Sequence, residues 1–377
     1  MDETTTPEET SSELEEATAE PEEKKAPLKP ISFARGVPAP ECLPVEELAD
    51  CARAVLEQDG KTILSYGSAA GYTPLREYIA QWFGVHPFRV VITNGALQGF
   101  VLLARHVTRG RRVLIEEPTY DRAIKILLDS GATLGTVSLD EEGIVPQSLE
   151  DALRTADDVA FLYTIPTFQN PSGRTMSAER RQKIVEMAQF HNIQIVEDDP
   201  YGLVRYEGEA QPALFDLSGK TFIYSSSFSK TISPGLRVGW YILPEELGGE
   251  ITEAAASTYI TPVLLSQAVA FEFIRRGHFQ PNLERVNGLL RERRDAMLAA
   301  LEKHLSGCTW TRPEGGYFVW LEFPAGTIAK QVLEQVEGVT FVPGVDFGGM
   351  PNTARLAFSF VSPEEIEVGV ERIAAAL

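Results

Sequence analysis

The sequence predicts an α/β fold: a mostly parallel sheet with helices on both faces. Three observations carry that expectation. From Gly71 to about Pro244, apolar runs of strand length alternate with helix-period segments, which is the pattern of βαβ units. Several of those runs, such as Phe161-Leu-Tyr-Thr and Ile195-Val-Glu-Asp198, are near-continuously apolar, as strands covered on both faces are. The chain has 377 residues and 44% hydrophobic content, enough for a large core divided among two to three domain-sized units.

The elements follow in order. Residues 31–64 hold Phe33-Ala-Arg-Gly36-Val-Pro38 and then a helix near Pro44 to Glu57. Val90 to Thr93 reads as a strand, Asn94-Gly95 as a turn, and the segment from Ala96 through Arg105 as an amphipathic helix. A strand over 112–116, a helix over 120–130, a strand over 133–138 and a helix over 178–191 continue the alternation. Thr221 to Tyr224 leads into a serine-rich turn, and Leu236-Arg-Val-Gly-Trp-Tyr-Ile-Leu returns as a further strand. Residues 250–303 are helical in pattern. Gly315-Gly-Tyr-Phe-Val-Trp-Leu-Glu-Phe, the Phe341-Val-Pro-Gly region and residues 354–360 read as strands of a smaller α+β domain, closed by a capped helix from Pro363. The expected units are residues 1–30, 31–64, 65–262 and 263–377.

Chemistry concentrates where these strands end. Tyr224-Ser-Ser-Ser-Phe-Ser-Lys230 places one lysine in a polar turn, and Arg237 follows seven residues later. A lysine that is desolvated or set beside another cation loses its proton and attacks a carbonyl to form a Schiff base. Serine hydroxyls and an arginine fork suit a phosphate. An aldehyde bearing a phosphate is pyridoxal 5'-phosphate. Asp198, at the end of its apolar run, suits the pyridine nitrogen and makes the ring an electron sink. Tyr201 and Asn170, in Asn170-Pro171-Ser-Gly173, both reach for the ring's phenolic oxygen. The Gly95 turn and the helix behind it form an anion site through free N–H groups and the helix dipole.

In this order and spacing the motifs resemble those of fold-type I pyridoxal-phosphate enzymes. The branch is that of 2-aminoadipate, kynurenine and aromatic aminotransferases, and the resemblance spans roughly residues 31–377. It implies an aspartate-aminotransferase-like fold, with a mostly parallel seven-stranded sheet in the large domain. It implies Lys230 as Schiff-base lysine and proton carrier, Asp198 as partner of the pyridine nitrogen, and Tyr201 with Asn170 at the phenolic oxygen. Tyr120 resembles the aromatic residue stacked on the ring. Ser227, Arg237 and the backbone of Gly95, Ala96 and Leu97 resemble a phosphate cup. Tyr66 matches a tyrosine that reaches a neighbouring subunit's phosphate, and Arg355 the arginine that clamps the substrate carboxylate. Gly36 and Arg35 lie in the segment that relatives use near the substrate side chain. At Ala96-Leu97 many relatives carry a hydroxyl residue and then Gln, so this chain lacks one phosphate contact.

Composition narrows the partners. The net charge of −20 disfavours nucleic acid and anionic membranes. No apolar run approaches the ~18 residues of a membrane span, and the first residues do not read as a signal peptide. Cys42, Cys51 and Cys308 read as reduced thiols of a cytoplasmic protein, and the five histidines show no metal-ligand spacing. The first 30 residues hold ten acidic and three basic side chains and few apolar ones, the composition of a disordered tail.

The expected activity is transamination between an L-amino acid and a 2-oxo acid by a homodimer, with glutamate and 2-oxoglutarate as one pair. Arg35 favours a substrate with a distal carboxylate; an aromatic or branched side chain suits an apolar pocket equally. Two other readings stand beside it. One is a β-lyase or decarboxylase on the same fold. The other is a ligand-sensing module without catalysis.

Overall fold

The computed structural model describes residues 28–156 and 158–377; the expected acidic tail lies almost wholly outside them. Its centre is one large sheet, in the strand order Val90–Thr93, Gly239–Ile242, Ile223–Ser227, Gln194–Asp198, Val159–Thr164, Arg112–Glu117, Thr133–Asp140, Gly143–Ile144. Four neighbouring pairs are parallel. Gly239–Ile242 runs antiparallel to both of its neighbours. Seven strands have four residues or more, and the eighth is the two-residue antiparallel extension Gly143–Ile144.

Strand alternation explains the layers. Val113, Ile115, Phe161, Tyr163 and Val196 pack on one face of the sheet, while Leu114, Leu162 and Ile195 pack on the other. A separate core gathers Phe318, Val319, Leu321, Leu356 and Ile366 beneath an antiparallel sheet of Thr309–Trp310, Phe318–Glu322, Thr353–Ala357 and Val342–Pro343. Ile31–Ser32 pairs in parallel with Val339–Thr340, which ties the start of the described chain to this smaller unit.

Two expected divisions come out differently. The segment 31–64 is split: Ile31, Phe33 and Cys42 join the small core, but Cys51, Val55 and Ile63 of helix Val45–Ile63 join the large one. Helix Leu264–Arg275 packs Leu264, Ala268 and Phe273 into that large core, so the small unit starts with helix Phe279–His304 rather than at 263. The helical stretch read as 250–303 is in fact three helices, broken at Ile260 and Gly277, which both take positive φ. Gly277 suits its break, since only glycine adopts that conformation freely.

Candidate active site

The parallel strands end along one edge, and a cavity of about 610 Å³ opens there against the small unit. Open α/β sheets place ligands at this edge because each strand end hands its loop to the same crevice. Val90–Thr93 delivers Gly95, Ala96 and Leu97; Arg112–Glu117 delivers Tyr120; Val159–Thr164 delivers Asn170; Gln194–Asp198 delivers Asp198 and Tyr201; Ile223–Ser227 delivers Ser227 and Lys230. The small unit adds Arg355 from Thr353–Ala357.

An anion cradle forms one wall. Gly95 has φ +89, and a Cβ there would stand 2.1 Å from the Arg237 guanidinium; glycine is required by the conformation and by the close approach. Helix Ala96–Val107 begins with no side-chain cap, so its first N–H groups stay free for an anion. The Ser227 hydroxyl accepts from the Ser229 N–H at 2.8 Å and keeps its own proton to donate. Arg237 takes a left-handed φ of 54 and donates to the Pro234 and Asn94 carbonyls at 3.2 and 3.3 Å. Such strain in a non-glycine residue collects at functional sites.

Behind the cradle stands Asp198. Its Oδ2 accepts from the Tyr163 hydroxyl at 2.8 Å, while its Oδ1 is buried with no partner. Burial pushes the carboxyl up to about 6, against the pull of the Tyr163 bond. Lys230 Nζ donates to the Gly36 carbonyl at 2.7 Å. Burial, with Arg355 and Arg237 nearby, lowers its pKa to about 8. Tyr201 is buried edge-on against Tyr317 and Phe318. Tyr120 lines the cavity as well, and burial raises its hydroxyl to about 12.

Arg355 closes the arrangement. Its guanidinium lies between Phe318 and Phe347, 4.3 and 4.8 Å from their ring centres. It donates to Asn170 Oδ1 and to the Ala34 carbonyl, each at 2.8 Å. Because arginine only donates, this bond orients the Asn170 amide with its NH₂ away from Arg355. Arg355 Nε is buried without a partner.

A model of the family described as "Aminotransferase class I and II" matches residues 34–373. The chain belongs to this aminotransferase family. It is 38% identical to the 2-aminoadipate transaminase of Thermus thermophilus, over 92% of this chain and 90% of that one. It is 36% identical to aromatic-amino-acid aminotransferase 1 of Thermococcus litoralis, over 91% and 87%. The solved structure of LysN, the α-aminoadipate aminotransferase of Thermus thermophilus complexed with N-(5'-phosphopyridoxyl)-L-leucine, superposes with TM-score 0.88. It has 37% identity and covers 92% of both chains.

The protein is thus a pyridoxal-phosphate-dependent transaminase with the aspartate-aminotransferase-like fold. The side chains of this aminotransferase suit that cofactor on their own terms. The unpartnered carboxylate oxygen of Asp198 would suit a ring nitrogen, the lowered pKa of Lys230 would suit an aldehyde, and the uncapped helix start with Arg237 would suit a phosphate.

All the residues expected at the site line the cavity except Gly95, which abuts Arg237 behind its wall, and Tyr66, which is 80% exposed on the surface. Arg35 and Gly36 are at its mouth, where a Cβ on Gly36 would strike the Phe318 ring at 2.6 Å. Sequence reasoning missed Tyr163, Phe318, Phe347, Asp121 and Arg122, all of which line it too. Tyr163 had one legible signal, its place in the apolar run that leads to Asn170. Among the described residues there is no metal-ligating cluster, and no helix is long and apolar enough to cross a membrane.

Proposed function

We propose that the aminotransferase works by a ping-pong cycle on acidic amino acids, with glutamate and 2-oxoglutarate as one pair. What supports the reading is the set of guanidinium groups lining the cavity: buried Arg355 suits the carboxylate every substrate shares, and exposed Arg35 and Arg122 suit a second one. Pyridoxal phosphate supplies an aldehyde that captures the amine and a ring that withdraws electrons. Lys230, partly neutral near pH 8, takes the proton from the substrate Cα and returns it on the cofactor side. Asp198 would hold the ring nitrogen, Tyr201 and Asn170 would donate to the phenolic oxygen, and Tyr120 would support the ring. Ser227, Arg237 and the backbone from Gly95 to Leu97 would hold the phosphate. A clamped α-carboxylate is retained, which favours transamination over decarboxylation; a β-lyase retains it too and is separated by the ammonia it releases.

The test is to load the protein with pyridoxal phosphate and add glutamate, 2-aminoadipate, phenylalanine and leucine in turn. Conversion to the pyridoxamine form by the acidic donors, with one equivalent of 2-oxo acid, is the expected result. Faster conversion by phenylalanine or leucine overturns the acidic preference, and ammonia release overturns transamination.

The reading includes a cytoplasmic homodimer. Three unpaired cysteines support the compartment, and the exposure of Tyr66 beside exposed Leu64 supports a second subunit there. Tyr66→Phe should weaken cofactor binding about ten-fold, the value of one hydrogen bond to a charged group. In mixed dimers with Lys230→Ala chains, only one class of site should recover; unchanged cofactor affinity removes Tyr66 from the site. At the cradle, Ala96→Ser restores a hydroxyl and should tighten the cofactor about five-fold, near 1 kcal/mol, as read by titrating cofactor-free protein.

A further inference from the structure

We propose that Tyr163 is a positioning residue: its hydroxyl holds the Asp198 carboxylate turned so that one oxygen stays free for the cofactor's ring nitrogen. The inference rests on the transamination reading above and adds a residue to it. Tyr163 lies opposite Val196 in the parallel pairing of Val159–Thr164 with Gln194–Asp198. Asp198 is two residues beyond Val196, so alternation puts both side chains on one face of the sheet. The hydroxyl donates to Oδ2 at 2.8 Å, and Oδ1 is left buried and unpartnered.

The ring is held as well as the hydroxyl. Tyr163 is 1% exposed and packs on Phe100 with ring centres 4.9 Å apart. Neighbouring buried tyrosines are committed elsewhere, Tyr241 to the Ala96 carbonyl and Tyr224 to Asp199. Burial also raises the Tyr163 hydroxyl well above its ordinary range, so it remains a donor. A bond to the ionised form favours that form. Here it opposes burial and the charge of Asp199, both of which favour a neutral Asp198; Ser225 acts in the same direction as Tyr163, but more weakly. A neutral, freely turning carboxyl would not keep the ring nitrogen protonated.

The experiment uses the whole chain loaded with pyridoxal phosphate carrying nitrogen-15 in its ring. Nitrogen NMR reports protonation of the ring in wild type, Tyr163→Phe, Asp198→Asn and the double variant. Tyr163→Phe removes one oxygen and keeps the Phe100 contact; its unfolding midpoint checks that the fold is retained. The expected result is a signal moved toward the unprotonated ring. The half-reaction with an amino donor should slow about 10- to 100-fold, as for a lost bond to a charged group, at nearly constant KM. Added to Asp198→Asn, Tyr163→Phe should then change neither the signal nor the rate. A ring signal and rate like those of wild type overturn the proposal, as does an undiminished second loss on top of Asp198→Asn. A wild-type protein that takes up the cofactor but releases no 2-oxo acid overturns the transamination reading instead, and the ring signal still decides the role of Tyr163.

Discussion

Lys230→Met ends amino-group transfer, with a loss of about 10⁴-fold or more for a group that is both covalent anchor and proton carrier, and it stabilises the cofactor-free protein near neutral pH. The second effect follows from burial. Lys230 has a folded pKa of about 8 against an ordinary 10.5. Below pH 8 both folded and unfolded chains carry the proton, and the folded one bears the cost of an enclosed charge. Between about 8 and 10.5 the unfolded chain binds more protons, so wild-type stability rises with pH on this account. Above that window both are neutral and the cost has gone. Methionine carries no charge at any pH. Its advantage over wild type is therefore largest below pH 8 and shrinks as pH rises to 10.5. The bond lost to the Gly36 carbonyl offsets part of the gain, about 1 kcal/mol. Denaturant unfolding of both proteins at pH 7 and pH 10 reads the difference. An advantage that does not change with pH would show that Lys230 is not held against its charge, and that its reactivity has another source.

Much of this site was legible in the sequence because its chemistry needs residue types that stand out at strand ends. A lysine in a serine turn, carboxylates closing an apolar run and Asn-Pro-Ser-Gly after another are each ordinary turn chemistry alone, and their order and spacing together single them out. All of them meet at one edge because parallel strands leave their loops on the same side. What remained hidden depends on register and packing. Tyr163 is apolar-run residue and site residue at once, and only the pairing with Val196 reveals that it faces Asp198. Phe318 and Phe347 come from the small unit, whose approach to the crevice no local pattern encodes. Helix Leu264–Arg275 packs Leu264, Ala268 and Phe273 in the large core, which its sequence does not announce. Its apolar face states that it packs, and not against which core. Glu116 shows the same limit. It is buried, pushed up to about 7, and bonded to Thr164, Ile165 and Gln169. It braces the loop that presents Asn170, yet the sequence marks it only as the end of a strand.

Arg355→Lys should lower kcat/KM by about 10- to 100-fold for both amino and 2-oxo acids through the carboxylate alone, since a bidentate clamp is worth two charge-assisted bonds of about 1.5–3 kcal/mol each and lysine retains one. The surroundings explain why charge alone is insufficient. The guanidinium is a flat plate between two rings, and an ammonium on a flexible stem does not fill that slot. The same plate orients Asn170, through the 2.8 Å bond to Oδ1. Lysine therefore costs two things at once: the substrate carboxylate loses its fork, and the Asn170 amide loses the partner that turns its NH₂ toward the cofactor. The two costs separate experimentally. An amine without an α-carboxylate never uses the fork, so its slow reaction should fall only by the part that passes through Asn170. A full amino acid should lose both. Asn170→Ala in the Arg355→Lys background closes the cycle, because the part shared with Asn170 can be lost only once. Equal losses for the amine and the amino acid would mean that Arg355 shapes the cofactor's surroundings and does not hold the substrate carboxylate.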